Sequence, residues 1–268
     1  MPAAEASQSS KTSADLPLIR EAAEEAGRIA MRFFKRNPEV WMKSGQSPVS
    51  EADYAVDTYL RQTLLAARPD YGWLSEETVD SPARLGSHRT FVVDPIDGTR
   101  AFLDGRSTWC VSIAVVENGV SLSGVLECPV KNETFWAEAG KGAFKNGTAI
   151  HVNPPGDSFT VAGPKLLIDA TPEEWRSRFR TVPYIPSLAY RVAMVASGEL
   201  DGSFVKPDSH DWDLAAADLM LREAGGRLLD RHGKTLHYAG PNPRNGVLAA
   251  GSGALLQAMM AVIADFEN

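Results

Sequence analysis

The sequence predicts a layered α/β protein, on three observations. Apolar residues recur at helical spacing in two segments before residue 70. Short β-rich runs separated by Asn-Gly turns fill the stretch from Trp73 to Gly147. Beyond Pro154-Pro155-Gly156, strand-like and helix-like segments alternate. At 268 residues, with 44% hydrophobic and 23% charged residues, the chain has the composition of an ordinary soluble globular protein of one large domain or two small ones.

The first helix follows Asp15, which offers a cap with Pro17 in the first turn; Ile19, Ala22, Ala23, Ala26, Ile29, Ala30, Phe33 and Phe34 define its apolar face. A second helix follows Ser50, carrying Ala52, Ala55, Val56, Tyr59, Leu60 and Thr63 on one face and stopping before Pro69. Between them, Lys43 to Val49 reads as a loop. Strands are expected at Thr90 to Val93, Val111 to Val116, Val120 to Leu126 and Thr134 to Ala137. Glu117-Asn118-Gly119 closes a hairpin and Lys145-Asn146-Gly147 makes another turn. A strand near Phe159 to Val161, helices at Pro172 to Phe179 and Leu188 to Ala196, and a strand at Gly202 to Val205 come next. A long helix from about Asp213 to Ala224, stopped by Gly225-Gly226, and a last helix at Ala254 to Ala264 complete the order. Residues 1–13 are expected as a disordered tail, 14–153 as a lobe of helices plus antiparallel sheet, and 154–268 as a second α/β lobe.

Composition excludes several functions. With 27 Lys and Arg against 34 Asp and Glu the net charge is −7, which disfavours nucleic acid as a partner. No apolar run is long enough to cross a bilayer, so no membrane insertion is expected. Two cysteines, Cys110 and Cys128, make no disulfide framework and read as core residues. The first fourteen residues are small and polar with no apolar stretch, and the expectation is a cytoplasmic protein.

The acids carry the chemistry. Glu76-Glu77 ends an apolar stretch; Asp94 and Asp97 lie in Asp94-Pro95-Ile96-Asp97-Gly98-Thr99, directly after the apolar run Phe91-Val92-Val93; Asp213 opens a helix in His210-Asp211-Trp212-Asp213. Carboxylates converging at strand ends and helix starts repel one another unless cations lie between them, and oxygen ligands without His or Cys suit Mg2+, with Mn2+ as the substitute. Gly98 leaves room for a ligand to approach the backbone, and amides at a helix start there would face an anion. Taken singly, Glu76-Glu77 reads as a solvated turn, Asp213 or Asp211 as a helix cap, and His210 as a surface group. Asp-Pro-Ile-Asp-Gly-Thr resists such a reading because it continues an apolar strand.

In order, Glu76-Glu77, Asp94 to Thr99, Trp212-Asp213 and Glu223 to Gly226 resemble the motifs of the inositol monophosphatase superfamily of magnesium-dependent, lithium-sensitive phosphatases. The resemblance runs from Lys43 to Gly226 and implies the layered αβαβα sandwich shared by inositol monophosphatases and fructose-1,6-bisphosphatases. It implies two or three Mg2+ ions. Glu76, Asp94 and the Ile96 carbonyl would hold the first, and Asp94, Asp97 and Asp213 the second. Thr99 and Asp53 would orient the attacking water, and Glu76 would join them in catalysis. The substrate, a small phosphorylated metabolite, would touch Glu76, Ile96, Asp97, Gly98, Thr99, Asp213 and Lys206. Apart from the substrate, the expected partner is a second copy of the chain in a homodimer.

Three local features bear on the ester. Ser47-Pro48-Val49-Ser50-Glu51-Ala52-Asp53 resembles the corresponding stretch of 3′(2′),5′-bisphosphate nucleotidases and equally that of histidinol-phosphate phosphatases. Ser75 before Glu76 resembles the bacterial nucleotidases alone. Lys206 stands seven residues before Asp213, where animal-type inositol monophosphatases carry a Glu, and a cation there suits a second phosphate. Arg100 and Arg106 are further candidates for that role. The expected activity is therefore removal of the 3′-phosphate from adenosine 3′,5′-bisphosphate, with inositol 1-phosphate or histidinol phosphate as alternatives. The alternative of another class is a regulatory protein that binds the transcription machinery.

Overall fold

The computed structural model describes residues 15–43 and 47–266, so the expected tail, Met1 to Ala14, and the centre of the expected loop, Ser44 to Gln46, lie outside the described residues. Two long N-terminal helices, α1 (Asp15–Phe33) and α2 (Glu51–Ala67), precede the first sheet. Its strands are β3 (Gly72–Ser75), β4 (Arg89–Asp97), β5 (Cys110–Glu117), β6 (Val120–Cys128), β7 (Glu133–Glu138), β8 (Ala143–Lys145) and β9 (Thr148–Ala149). They lie side by side in chain order, β3 parallel to β4 and every later pair antiparallel. Asn118 and Gly119 close the β5–β6 hairpin with φ of 51° and 81°, the left-handed pair that matches strand twist.

Period-two alternation drives both faces of this sheet into apolar surroundings. Phe91, Val93, Val111, Ile113 and Val115 face Ile19, Ala23, Ala26, Leu60 and Leu64 of α1 and α2. Val92, Ala114, Leu126 and Phe135 turn the other way, onto α6 (Leu188–Ala196) and α7 (Asp211–Glu223). A Cβ on Gly124 would stand 3.0 Å from the Ala216 backbone, so glycine is what lets β6 touch α7 so closely. Beyond α6 and α7 lies a second sheet in the order β11-β10-β12-β16-β14, formed by Phe179–Thr181, Phe159–Ala162, Gly202–Val205, Leu248–Gly251 and Arg227–Asp230. Its far face packs Phe159, Val161, Phe204 and Ala249 against Leu255, Met259 and Ile263 of α8 (Gly253–Ala264). Helices, sheet, helices, sheet, helix: this is the αβαβα sandwich.

Four expectations are corrected. The helix placed over Pro172 to Phe179 is two short pieces, α4 (Lys165–Asp169) and α5 (Glu173–Arg176), and Phe179 instead opens β11, drawn into parallel pairing with Phe159 of β10. Within the expected loop, Pro48–Ser50 forms β2 and pairs antiparallel with β1, Val40–Met42. Asp15 does not cap; buried inside the first turn, its carboxylate accepts from Arg68 Nε at 3.0 Å, Arg89 Nη1 at 2.8 Å and Tyr71 Oη at 2.9 Å. Asp211 does not cap either: its oxygens accept from the Ala239 amide and Asn245 Nδ2. Elsewhere Ser50 leads α2, Ala67 ends it before Pro69, and Leu188 to Ala196 is helical throughout.

Candidate active site

The Asp94 to Asp97 segment owes its shape to a bulge. Asp94 pairs with Ser112 and Asp97 with Cys110, so three steps along β4 match two along β5. In a regular strand residues three apart point to opposite faces; the extra residue brings both carboxylates to one side. Pro95 donates nothing to the ladder, which suits it to the irregularity. The turn then closes through Gly98 at φ 93°, where an added Cβ would stand 3.0 Å from Ser187 Cβ and 3.1 Å from the Thr108 carbonyl. Thr99–Leu103 follows as the short helix α3.

Oxygens of Asp94, Asp97 and Asp213 all lie within 4.8 Å of one another. Asp94 and Asp97 are buried on β4, whereas Asp213 reaches the cluster from the first turn of α7, where its Oδ2 accepts the His210 amide at 2.7 Å. Burial first, then the neighbouring charges of Glu76 and Asp97, pushes Asp94 and Asp213 well above the usual carboxylate range. Asp97 reaches only about 6, because burial is offset by hydrogen bonds from Ser187 Oγ and the amides of Ala189 and Leu188. Those amides belong to the N-terminal turn of α6, whose dipole favours a negative group there. Three acids this close, with no ion-pair partner among the described residues, form an oxygen cage that fits a hard divalent cation. A cation held there would supply what three carboxylates cannot: a lowered pKa for a bound water and stabilisation of a leaving oxygen.

Asp53 and Thr99 meet beside the cage. Asp53 Oδ2 is pinned by the Ser50 amide at 2.8 Å and Ser50 Oγ at 2.6 Å, leaving Oδ1 at 3.2 Å from Thr99 Oγ1. Thr99 Oγ1 also stands 3.1 Å from the Ile96 carbonyl. Burial lifts Asp53 to about 6, opposed by the Ser50 bonds.

Glu76 follows β3 and lines the same cavity as Asp97 and Asp213, yet its Oε1 is engaged by Lys43 Nζ at 2.9 Å. Lys43 also reaches Glu77 Oε1 at 2.6 Å, and Glu77, pushed up to about 7 by burial and by the Glu76 charge, completes the triplet. The Glu76 carboxylate therefore stands beside the three-acid cage. The turn carrying it is clamped by Asp57 of α2, which accepts from Ser75 Oγ and from Thr78 Oγ1.

These groups open onto a cavity of about 550 Å3, within the range of small-molecule sites. Its wall includes Gly98, Thr99, Arg100 and Lys206 among the expected residues, whereas Asp53, Asp94 and Ile96 are buried and are not part of the wall. Arg106 is off the wall, exposed and 3.6 Å from Asp104, which removes it from the anion-binding candidates. His210 is on the wall, stacked on Trp212 with ring centroids 4.5 Å apart. Glu223, from the Glu-Ala-Gly-Gly motif, serves the scaffold: its carboxylate accepts the Gly140 and Gly142 amides. Lys43, Ser187, Arg191 and Arg244 enter the site only through the fold; Lys43, inside the singled-out loop, is the one with a local sequence signal.

A family model described as the inositol monophosphatase family matches residues 12–267. Histidinol-phosphatase of Mycobacterium tuberculosis is 34% identical over 256 residues, covering 88% of this chain and 94% of that protein. Inositol-1-monophosphatase of Rhizobium meliloti is 33% identical over 233 residues, covering 82% and 87% respectively. Among solved structures, the IMPase of Thermotoga maritima superposes with a TM-score of 0.82 at 26% identity, over 94% of this chain and 97% of its own. No described helix is long and apolar enough to cross a membrane. Fold, acidic cage and near full-length similarity agree: the chain belongs to the inositol monophosphatase family of phosphatases, hydrolases of phosphate monoesters that are in general magnesium-dependent.

Proposed function

We propose that this phosphatase removes the 3′-phosphate of adenosine 3′,5′-bisphosphate in the cytoplasm and is inhibited by Li+. The observation carrying the substrate is Lys206, exposed on the wall of the cavity that holds Asp97 and Asp213. A cation there favours a second phosphate, to which its hydrogen bonds are charge-assisted, over the neutral hydroxyls of a polyol. One carboxylate, Asp53, supplies the base, and the acidic cage supplies the geometry. Asp94, Asp97 and Asp213 would hold magnesium, with the Glu76 carboxylate beside them as a further ligand, and the ion would lower the pKa of a bound water and stabilise the leaving oxygen. A water held at Thr99 Oγ1 attacks phosphorus in line with the ester oxygen. Its proton passes through the Thr99 hydroxyl to Asp53 Oδ1, whose pKa of about 6 suits a base at neutral pH. One P–O bond forms and the ester P–O bond breaks. The ribose 3′-oxygen leaves with a proton from solvent, giving inorganic phosphate and adenosine 5′-monophosphate.

A second reading, histidinol phosphate, is favoured by the similarity to the histidinol-phosphatase of Mycobacterium tuberculosis. Against it stands the wall itself: histidinol phosphate carries an ammonium, which Lys206 and Arg244 repel. Phosphate release from adenosine 3′,5′-bisphosphate, inositol 1-phosphate and histidinol phosphate decides between the readings. The wild type should favour the bisphosphate by kcat/KM. In Lys206→Glu the ratio of bisphosphate to inositol 1-phosphate turnover should fall by about tenfold or more, since a charge-assisted contact is worth roughly 1.5–3 kcal/mol and the new carboxylate repels the anion. Equal losses on both would place Lys206 outside recognition, and a wild type preferring histidinol phosphate would replace the substrate.

A further inference from the structure

The wall of the active cavity contains a buried cation that the phosphatase chemistry leaves unused. Arg191 lies one turn into α6, its side chain only 7% exposed, yet it lines the cavity. Among the described residues its side chain makes one hydrogen bond, from Nη2 to the Phe204 carbonyl at 3.3 Å, and the buried Nε has no partner. Among the described residues no carboxylate comes within ion-pair distance of it, whereas Arg84 and Arg89, similarly buried, are each paired with an acid. The longer-range charge of Asp97 offsets only part of the burial of Arg191, and a guanidinium taken out of water without a paired counter-ion is unfavourable unless something else supplies the charge. Here the missing partner has a route in, because Arg191 faces the same cavity that admits substrate.

Its neighbours sharpen the chemistry. The Phe204 carbonyl that Arg191 holds is near the end of β12, and Lys206 follows two residues later on the same wall. Arg244 stands on that wall too, 3.6 Å from Asp208. The helix that carries Arg191 is also the one whose first turn grips Asp97 through Ser187, Leu188 and Ala189. One rigid element thus carries both the turn that orients Asp97 and, about one turn of helix further on, the backbone of Arg191.

We propose that Arg191 is the specificity-determining residue of a second anion subsite, which holds the non-reacting phosphate of a bisphosphorylated substrate. Arg191 supplies the desolvated, planar fork and Lys206 the solvent-side charge. Binding an anion there neutralises the buried cation, so the second phosphate contributes recognition that a monophosphate cannot provide. The inference rests on the nucleotidase reading above.

The test uses a matched pair, adenosine 3′,5′-bisphosphate and adenosine 3′-monophosphate, which share the ester and the leaving group and differ only in the second phosphate. In wild type, kcat/KM should be at least tenfold higher for the bisphosphate. In Arg191→Met that preference should fall by tenfold or more, and Arg191→Gln, which retains a donor for the Phe204 carbonyl, should give the same fall if the Met variant folds poorly. Arg191→Lys, keeping charge without the fork, should recover part of it. A preference that survives in Arg191→Gln overturns this inference alone, as does an equal loss on both substrates, which would make Arg191 a brace for α6. A wild type with no preference for the bisphosphate overturns the nucleotidase reading and the subsite together.

Discussion

Asp97 is gripped from one side by Ser187 Oγ and two α6 amides, so its orientation is set before any cation arrives. Asn at this position keeps the shape, removes one charge from the three-acid cage and turns an NH2 toward donors that need an acceptor. Asp97→Asn should therefore lower magnesium-dependent phosphate release by about a hundredfold or more, the scale seen when a single preorganised electrostatic group is lost. Steady-state assays at saturating Mg2+, alongside a melting curve showing the variant folded, check this; near wild-type turnover would remove Asp97 from the metal site. Asp94 and Asp97 were legible in the sequence because an apolar strand running straight into two acids and a Pro has no use as a solvated loop. Ser187 and Arg191 were not legible. Their importance comes from the approach of α6 to the β4 bulge, a contact between residues 90 apart that leaves no local pattern.

At the scale of elements, α7 does two jobs, presenting Asp213 at its first turn and filling the layer between the sheets with Leu214, Ala217, Leu219 and Leu221. The second job has an electrostatic consequence at Asp218. Its carboxylate is 6% exposed and accepts the Tyr238 hydroxyl at 2.9 Å; burial lifts it from 3.8 to about 6. Below pH 4 the group is neutral in folded and unfolded chains. Between about 4 and 6 the folded chain keeps a proton that the unfolded chain has released, so stability falls as pH rises. Above 6 the full loss remains, on the order of 3 kcal/mol. Asp218→Asn cannot titrate, so its stability relative to wild type should climb by about 2 kcal/mol between pH 4.5 and 7.5, the share of that loss falling in this window, measured by urea melts across the range. A flat difference would mean that Asp218 is solvated. Long elements such as α1, α2 and α7 were readable because each buries one face over several turns. Three-residue strands were not: β11 is decided by its pairing with β10, and β2 by its pairing with β1, and neither partner is adjacent in the pattern that periodicity samples.

For the whole molecule the acidic cage is a joint between layers. Asp94 and Asp97 belong to the seven-stranded sheet, and Asp213 to the helix that separates it from the five-stranded one. Without a cation their repulsion works against that packing, which is why burial and mutual charge hold Asp94 and Asp213 so far above ordinary carboxylates. A divalent ion binding only the folded chain stabilises it by mass action, about 2.7 kcal/mol when its concentration is a hundred times Kd. For a chain of this size that corresponds to roughly 5–10 °C in Tm. Melting in chelator and then in rising Mg2+, at ionic strength held constant with KCl, should show that upward shift. Asp213→Asn should melt higher than wild type in chelator, because a repelling charge is gone, and gain much less from Mg2+. This crossing of the two curves distinguishes a cation that ties the layers together from one that merely screens a negative surface, since screening by KCl would raise both proteins alike. Identical magnesium shifts in the two proteins would move the metal away from the joint.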